Sequence, residues 1–151
     1  MKKLKKGEPC LHCGRFANRG TSIDAIIVKK GEVLLIQRVA RPNKGYWGTP
    51  GGYVDWDESV EEAVAREVKE ETNLNITELK LVGVYSSPSR HPKQVINLLY
   101  AVEVDDLSKL AVGDDALNAK WFPLQKLPSK MALDHKQNIK DTIIYLKASK
   151  T

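Results

Sequence analysis

Gly52-Tyr-Val-Asp-Trp-Asp-Glu58-Ser-Val-Glu-Glu-Ala-Val-Ala-Arg66-Glu67-Val-Lys-Glu70-Glu71-Thr-Asn73-Leu74 combines a helix signal with an electrostatic problem. Ser59 with Glu62 three residues on forms a capping box, which marks a helix start and predicts a helix over 59–72. Val60, Ala63, Val64 and Leu74 fall on one stripe at helical spacing. At about 100° per residue, Glu67 and Glu71 land in that same stripe one turn apart, and Glu70 sits at its edge. Glu61, Glu62 and Lys69 point elsewhere, as ordinary surface charge does.

An acid-rich helix normally turns its acids to water. That accounts for Glu61 and Glu62 but not for two carboxylates on an inward face, where they are costly unless compensated and repel one another. A bound divalent cation resolves both difficulties, because hard cations such as Mg²⁺ take oxygen ligands from clustered carboxylates. Arg66 either pairs with a neighbouring carboxylate and fixes its orientation or makes surface pairs one turn along the helix.

The segments around this helix read as strands. Ser22–Lys29 and Glu32–Val39 are strand-like, and the intervening Lys30-Gly31 suits a tight hairpin. Gly52–Val54, Ile76–Ser86, Gln94–Val104 and Asn118–Phe122 continue the pattern. Asp134–Lys147 reads as a second amphipathic helix with Ile139, Ile143, Ile144 and Leu146 facing inward. Mixed strands and helices in a chain of 151 residues predict a single α/β domain, a sheet covered by helices.

Composition narrows the function classes. Hydrophobic content of 42% with 28% charged residues fits a folded domain rather than a disordered one. No apolar run approaches the roughly 20 residues of a membrane span, and no apolar segment follows the basic N-terminus, so a cytoplasmic location is expected. The net charge is +5, but removing Lys2, Lys3, Lys5 and Lys6 from the 24 basic residues leaves 20 against 19 acidic. Nucleic acid is therefore not an expected partner. Residues 1–20 read as a basic arm and 21–151 as the folded domain. Within the arm, Cys10-Leu-His-Cys13 resembles one zinc knuckle, giving two of the four ligands that Zn²⁺ needs. The alternatives are a ribbon remnant without metal and a redox pair lacking the usual strand-then-helix context.

The residues from Gly52 to Leu74 resemble the Nudix box, G-x5-E-x7-R-E-U-x-E-E-x-G-U with U a bulky aliphatic residue. Gly52, Glu58, Arg66-Glu67-Val68, Glu70-Glu71 and Leu74 match it at the required spacings. The departure is Asn73, where the pattern has Gly; Asn is the next-best residue for a left-handed helix end. Trp47-Gly-Thr-Pro-Gly-Gly-Tyr-Val-Asp55 is similar to the family's usual lead-in. Ser89-Arg-His-Pro92, Gly113-Asp-Asp-Ala116, Trp121-Phe-Pro123 and Leu133-Asp-His135 resemble the ADP-ribose pyrophosphatase-like group.

The resemblance implies an α/β/α sandwich with a mixed central sheet. It implies hydrolysis of the pyrophosphate in a nucleoside diphosphate linked to another group, with Mg²⁺ or Mn²⁺ held by Glu67, Glu70, Glu71 and the carbonyl of Gly51. In the same pattern Arg66 would orient Glu67, and Glu58 would be a structural or salt-bridging residue. Glu67 is one candidate for the base that takes the water proton; Asp114 and Asp115 are the alternative, unless they form a solvated turn. Arg38 and Arg90 are candidates for phosphate or ribose contact, or else surface charges. Tyr46 would stack on a base or anchor its loop, whereas Trp47 and Trp121 read as packing residues. A homodimer is expected from the resemblance alone. Besides ADP-ribose cleavage, two readings remain at this point: a hydrolase of oxidised deoxynucleoside triphosphates, and a non-catalytic ADP-ribose sensor. Sensors tend to carry broken boxes, and this chain keeps every acid.

Overall fold

Pairing of the strand segments produces two sheets. The computed structural model describes residues 5, 8, 9, 18–41 and 43–149, so Cys10 and Cys13, and the zinc knuckle expected there, lie outside the described residues. The elements are β1 (Thr21–Ile26), β2 (Val28–Lys29), β3 (Glu32–Arg38), β4 (Trp47–Gly48), β5 (Gly51–Tyr53), α1 (Val60–Thr72), β6 (Ile76–Tyr85), β7 (Ile96–Val104), β8 (Ala116–Pro123) and α2 (His135–Ala148).

One sheet has the order β5-β1-β7-β6. It is mixed: β1 runs parallel to β7, and the β1–β5 and β6–β7 pairs are antiparallel. The second sheet is antiparallel, with β8 along β3 and with β2 and β4 pairing β3 at its two ends. Lys30 and Gly31, at φ 49° and 80°, make the left-handed turn of the β2–β3 hairpin.

The first predicted strand is divided. It leaves the mixed sheet after Ile26 and joins the second at Val28, with the Ile27 carbonyl accepting from Leu34 N (3.0 Å). Ile26 and Ile27 are both buried, because the chain has protein on either side where it changes sheets. An unbroken apolar run conceals such a crossing.

Helix α1 packs Ala63, Val64 and Val68 against Ile23, Ala25, Tyr100 and Val102, while α2 covers the other cluster, formed by Ile26, Val33, Leu35 and Leu99. This is the α/β/α arrangement. Fully burying a Val or Leu side chain stabilises by about 1.5–3 kcal/mol, so this apolar stripe can hold α1 in place while carboxylates on the same face point inward. The helix starts at Ser59 with both capping-box bonds present and ends at Asn73, left-handed at φ 59°. Asn73 thus performs the role for which the family pattern has Gly.

Helix α2 departs from expectation. Ile139 is buried and Ile143 packs on the core, but Ile144 is 66% exposed. The inward stripe is instead His135, Asn138, Ile139 and Thr142. Polar residues hold it because its N-terminal half faces a polar chamber rather than oil. The helix also starts without a side-chain cap at Asp134, where a satisfied cap is typically worth about 1 kcal/mol.

Candidate active site

The inward face of α1 delivers its acids to one end of the sandwich. Glu71 is 6% exposed, and its Oε2 accepts the Gly51 N–H at 2.9 Å. Burial, against that bond, and then the neighbouring Glu67 charge push its carboxyl up to about 8. Glu67 is also raised, chiefly by burial, although Arg66 Nη1 donates to its Oε1 at 2.8 Å. Glu70 lies at the rim, 45% exposed, 3.2 Å from the same Nη1. Glu67 and Glu71 therefore lie on the inward face and Glu70 at its edge, as helical spacing predicted.

Arg66 is saturated. Nε and Nη2 grip Glu58 at 2.9 and 2.7 Å, Nη2 also donates to the Tyr53 carbonyl, and Nη1 serves Glu67 and Glu70. Arg66, followed by the Asp55 N–H, holds the Glu58 carboxyl down at about 2. The guanidinium is thus a hub tying α1 to the loop before it. Gly52 lies so close that a Cβ there would collide with the Glu67 carboxylate, and a Cβ on Gly113 would overlap the Glu70 carbonyl. Those are close-approach glycines.

The donor set fits a hard divalent ion. Two inward carboxylates raised by burial mark negative charge that protein partners do not fully compensate. Among the described residues, no group of three acids stands close enough together to ligate an ion as placed. Glu67 and Glu70 are turned to Arg66, and Glu71 to Gly51. The contact between Gly51 and the acids is through its amide.

These acids form one wall of a cleft of about 610 Å³. Arg38, at the end of β3, and Arg90, in the β6–β7 loop, stand in the same cleft with Arg41 and Lys93. Each of Arg38 and Arg90 has a buried Nε with no hydrogen-bond partner among the described residues. Arg90 is not a free surface cation: its Nη1 donates to both Asp134 oxygens. Burial and the Arg90 and Lys93 charges hold His91 below its ordinary value. The cleft therefore brings the acids of α1 together with a group of cations, which suits a metal-bearing polyanion.

The structure separates the two loop aspartates. The 105–115 segment docks on the end of α1 through Ala111 N to the Thr72 carbonyl and Gly113 N to the Glu71 carbonyl. Both aspartates are exposed in a turn, but Asp115 lines the cleft, and its charge helps raise Glu67 and Glu71, whereas Asp114 is not in the lining. Tyr46 does not line the cleft either. It is 36% exposed in the β3–β4 loop, where its backbone bonds Arg38 and Asn43, so its position favours the loop-anchoring reading over base stacking. Trp47 packs edge-on against Phe122, and Trp121 packs on the α1-side core.

The cleft floor was missed by the sequence reading. Asp24 Oδ2 accepts from Asn97 Nδ2 (2.8 Å) and Asn138 Nδ2 (3.0 Å), and Thr49 Oγ1 lies 2.7 Å from His135 Nδ1. A signal existed: Asp24 is the lone charge in an apolar strand, and His135, Asn138 and Thr142 recur at helical spacing.

Residues 18–142 match the NUDIX domain family. The chain is 43% identical over 141 residues, 93% of its length and 82% of the relative's, to an ADP-ribose pyrophosphatase of Methanocaldococcus jannaschii. It is 32% identical to a putative 8-oxo-dGTP diphosphatase of Bacillus subtilis, covering 77% of this chain and 74% of that one. Among solved structures, the NUDIX domain of Shewanella oneidensis NrtR complexed with ADP ribose superposes with a TM-score of 0.76 at 27% identity, covering 87% and 90% of the two chains.

The family match covers the two-sheet sandwich and the acid-bearing α1, and the chain belongs to the Nudix family. Within it, the chain is a hydrolase similar to an ADP-ribose pyrophosphatase.

Proposed function

We propose that this protein hydrolyses ADP-ribose to AMP and ribose 5-phosphate, with Mg²⁺ or Mn²⁺ held by Glu67, Glu70, Glu71 and the Gly51 carbonyl. The observation that carries this reading is the make-up of the cleft: buried, raised carboxylates on α1 and the cations Arg38 and Arg90 line one space large enough for a nucleotide. The 43% identity to an ADP-ribose pyrophosphatase supports the choice of substrate.

In the reaction, water oxygen bonds to one phosphorus of the pyrophosphate, the bridging P–O bond breaks, and the water proton passes to a carboxylate. When bound, the ions neutralise phosphate charge and lower the pKa of ligated water. Glu67 is the base of this proposal, since burial already raises its affinity for a proton. Asp115 is the alternative, and Asp114 is dropped because it lies outside the cleft lining. Arg66 restrains Glu67 and Glu70. Arg38 and Arg90 hold the phosphates, and their place in the cleft lining supports that role. The cytoplasmic location and the homodimer expected from the sequence remain part of this reading. Among the described residues no helix is long and apolar enough to cross a membrane.

The test is a panel of ADP-ribose, NADH, diadenosine polyphosphates, sugar nucleotides and oxidised dGTP with Mg²⁺, run beside Glu71→Gln. AMP and ribose 5-phosphate from ADP-ribose, lost in the variant, are the expected products. Preferred cleavage of oxidised dGTP would replace the substrate and keep the site. Absence of any turnover with ligand still bound would turn the reading into a sensor.

A further inference from the structure

The Arg90–Asp134 pair is built in a way that helix stability does not explain. Asp is among the best N-cap residues, because its carboxylate accepts the N–H groups that the first turn leaves free. At the start of α1, Ser59 does this from extended backbone, at ψ 166°. Asp134 opens α2 at φ −104°, ψ 14°, and makes no capping bond. Its carboxylate is given instead to Arg90, whose Nη1 lies 2.9 and 2.7 Å from the two oxygens. The residue before it, Leu133, is held left-handed at φ 46°, a conformation unfavourable for a side chain of that size. A missing cap and a strained leucine therefore flank one ion pair.

Arg90 is constrained from its other side as well. Its loop is closed at the stem by Arg19, whose Nε and Nη2 donate to the carbonyls of Gln94 and Ser86. Within the loop, Arg90 N bonds the Ser87 carbonyl and Gln94 N that of His91. The pair is mostly shielded from water, with the Arg90 and Asp134 side chains 14% and 28% exposed, and both residues line the cleft. Asp134 uses only Nη1. The buried Nε–H is left without an acceptor among the described residues. A guanidinium fixed through Nη1 alone keeps Nη2, which is not among the buried unpartnered atoms, to offer a second anion in the cleft.

We infer that Asp134 is a positioning residue for substrate binding: it forgoes capping α2 in order to aim Arg90, so that the free donor edge of the guanidinium meets the pyrophosphate. The inference rests on the proposed use of this cleft for a pyrophosphate-bearing substrate, but it concerns anion binding and not the identity of the attached group. In this inference Asp134 acts through Arg90, to which both of its carboxylate oxygens are committed.

The experiment is a double-mutant cycle of Asp134→Asn and Arg90→Lys, read by calorimetric titration with inorganic pyrophosphate in Mg²⁺ buffer and by KM and kcat on ADP-ribose. Asp134→Asn keeps the side-chain volume and an N-cap-competent residue. It should weaken pyrophosphate binding at least tenfold, the usual range for a charge-assisted bond, and raise KM by a similar factor while kcat falls less than threefold. The double variant should bind no more weakly than Arg90→Lys alone. Asp134→Ser, a second cap-competent residue, should lose the same affinity and provides the measurement if the Asn protein does not fold. Unchanged or tighter pyrophosphate binding in either folded variant, additive losses in the cycle, or a wild type that does not bind pyrophosphate would overturn the inference. Failure of wild type to cleave ADP-ribose while binding pyrophosphate would overturn the substrate reading and leave this one standing.

Discussion

Gly51 donates its backbone N–H to Glu71 Oε2 at 2.9 Å, and that bond joins the start of β5 to the last turn of α1 across 20 residues of sequence. It is the one hydrogen bond that the Glu71 side chain makes among the described residues, so a carboxylate nearly removed from water has a single neutral donor, helped less by the Arg38 charge. The imbalance is what raises its proton affinity, and several measurable consequences depend on it.

Metal-free protein should lose stability as pH rises. Burial first, then the Glu67 charge, places the Glu71 carboxyl at about 8 in the folded state against 4.5 ordinarily. A raised folded pKa contributes stability that is complete below 4.5 and lost as pH climbs through 8. Glu71→Gln should flatten this slope, leaving the smaller part due to Glu67, whose shift has the same sign. Melting temperature against pH in EDTA checks this; parallel curves for the two proteins would contradict it.

Mg²⁺ must displace that proton to reach the carboxylate, so its stabilisation should be larger at pH 8 than at pH 6. Calorimetry at pH 7 in buffers of different ionisation enthalpy should detect proton release on binding. The same heat in every buffer would mean that Glu71 is not a ligand.

Gly52→Ala should cost activity and stability together. The added Cβ meets the Glu67 carboxylate, and the resulting displacement should cost about 1–3 kcal/mol, as overpacking does. Glu67 would also be pushed off its Arg66 bond. Urea unfolding and kcat measure the two effects, and a wild-type kcat in the variant would mean that the Glu67 orientation is unimportant.

Asn73→Ala should destabilise α1 by roughly 1 kcal/mol, because alanine resists the left-handed backbone at φ 59°. The Asn73 side chain also donates to the Lys109 carbonyl (3.0 Å), which anchors the segment leading to Asp115. Asn73→Gly restores the backbone preference without that bond and should fall between the two proteins in denaturant midpoint. A Gly variant less stable than the Ala one would contradict the backbone account, since both variants lack the Lys109 bond.

The α1 site was legible because everything that defines it repeats at three to four residues. The capping box, the apolar stripe and the three acids lie within one continuous helix, where spacing alone fixes which side chains share a face. The left-handed Asn73 and the Lys30-Gly31 turn were legible for the same local reason. The chain could not show which way Arg90 turns, because its partner Asp134 is 44 residues away and meets it only once α2 docks on the sheets. Nor could it separate Asp114 from Asp115, since that depends on how the 105–115 segment lies against the end of α1. Ile144 looked like core because it is apolar. The register of α2 instead buries His135 and Asn138, whose side chains meet Thr49 and Asp24 only in the assembled cleft, and Thr142, which bonds the Asn138 carbonyl one turn back. Sequence by itself settled the acids and the helix that holds them, through covalent spacing. The basic wall, the polar floor and the choice between adjacent residues were set by tertiary packing, because those contacts join segments that the chain keeps far apart.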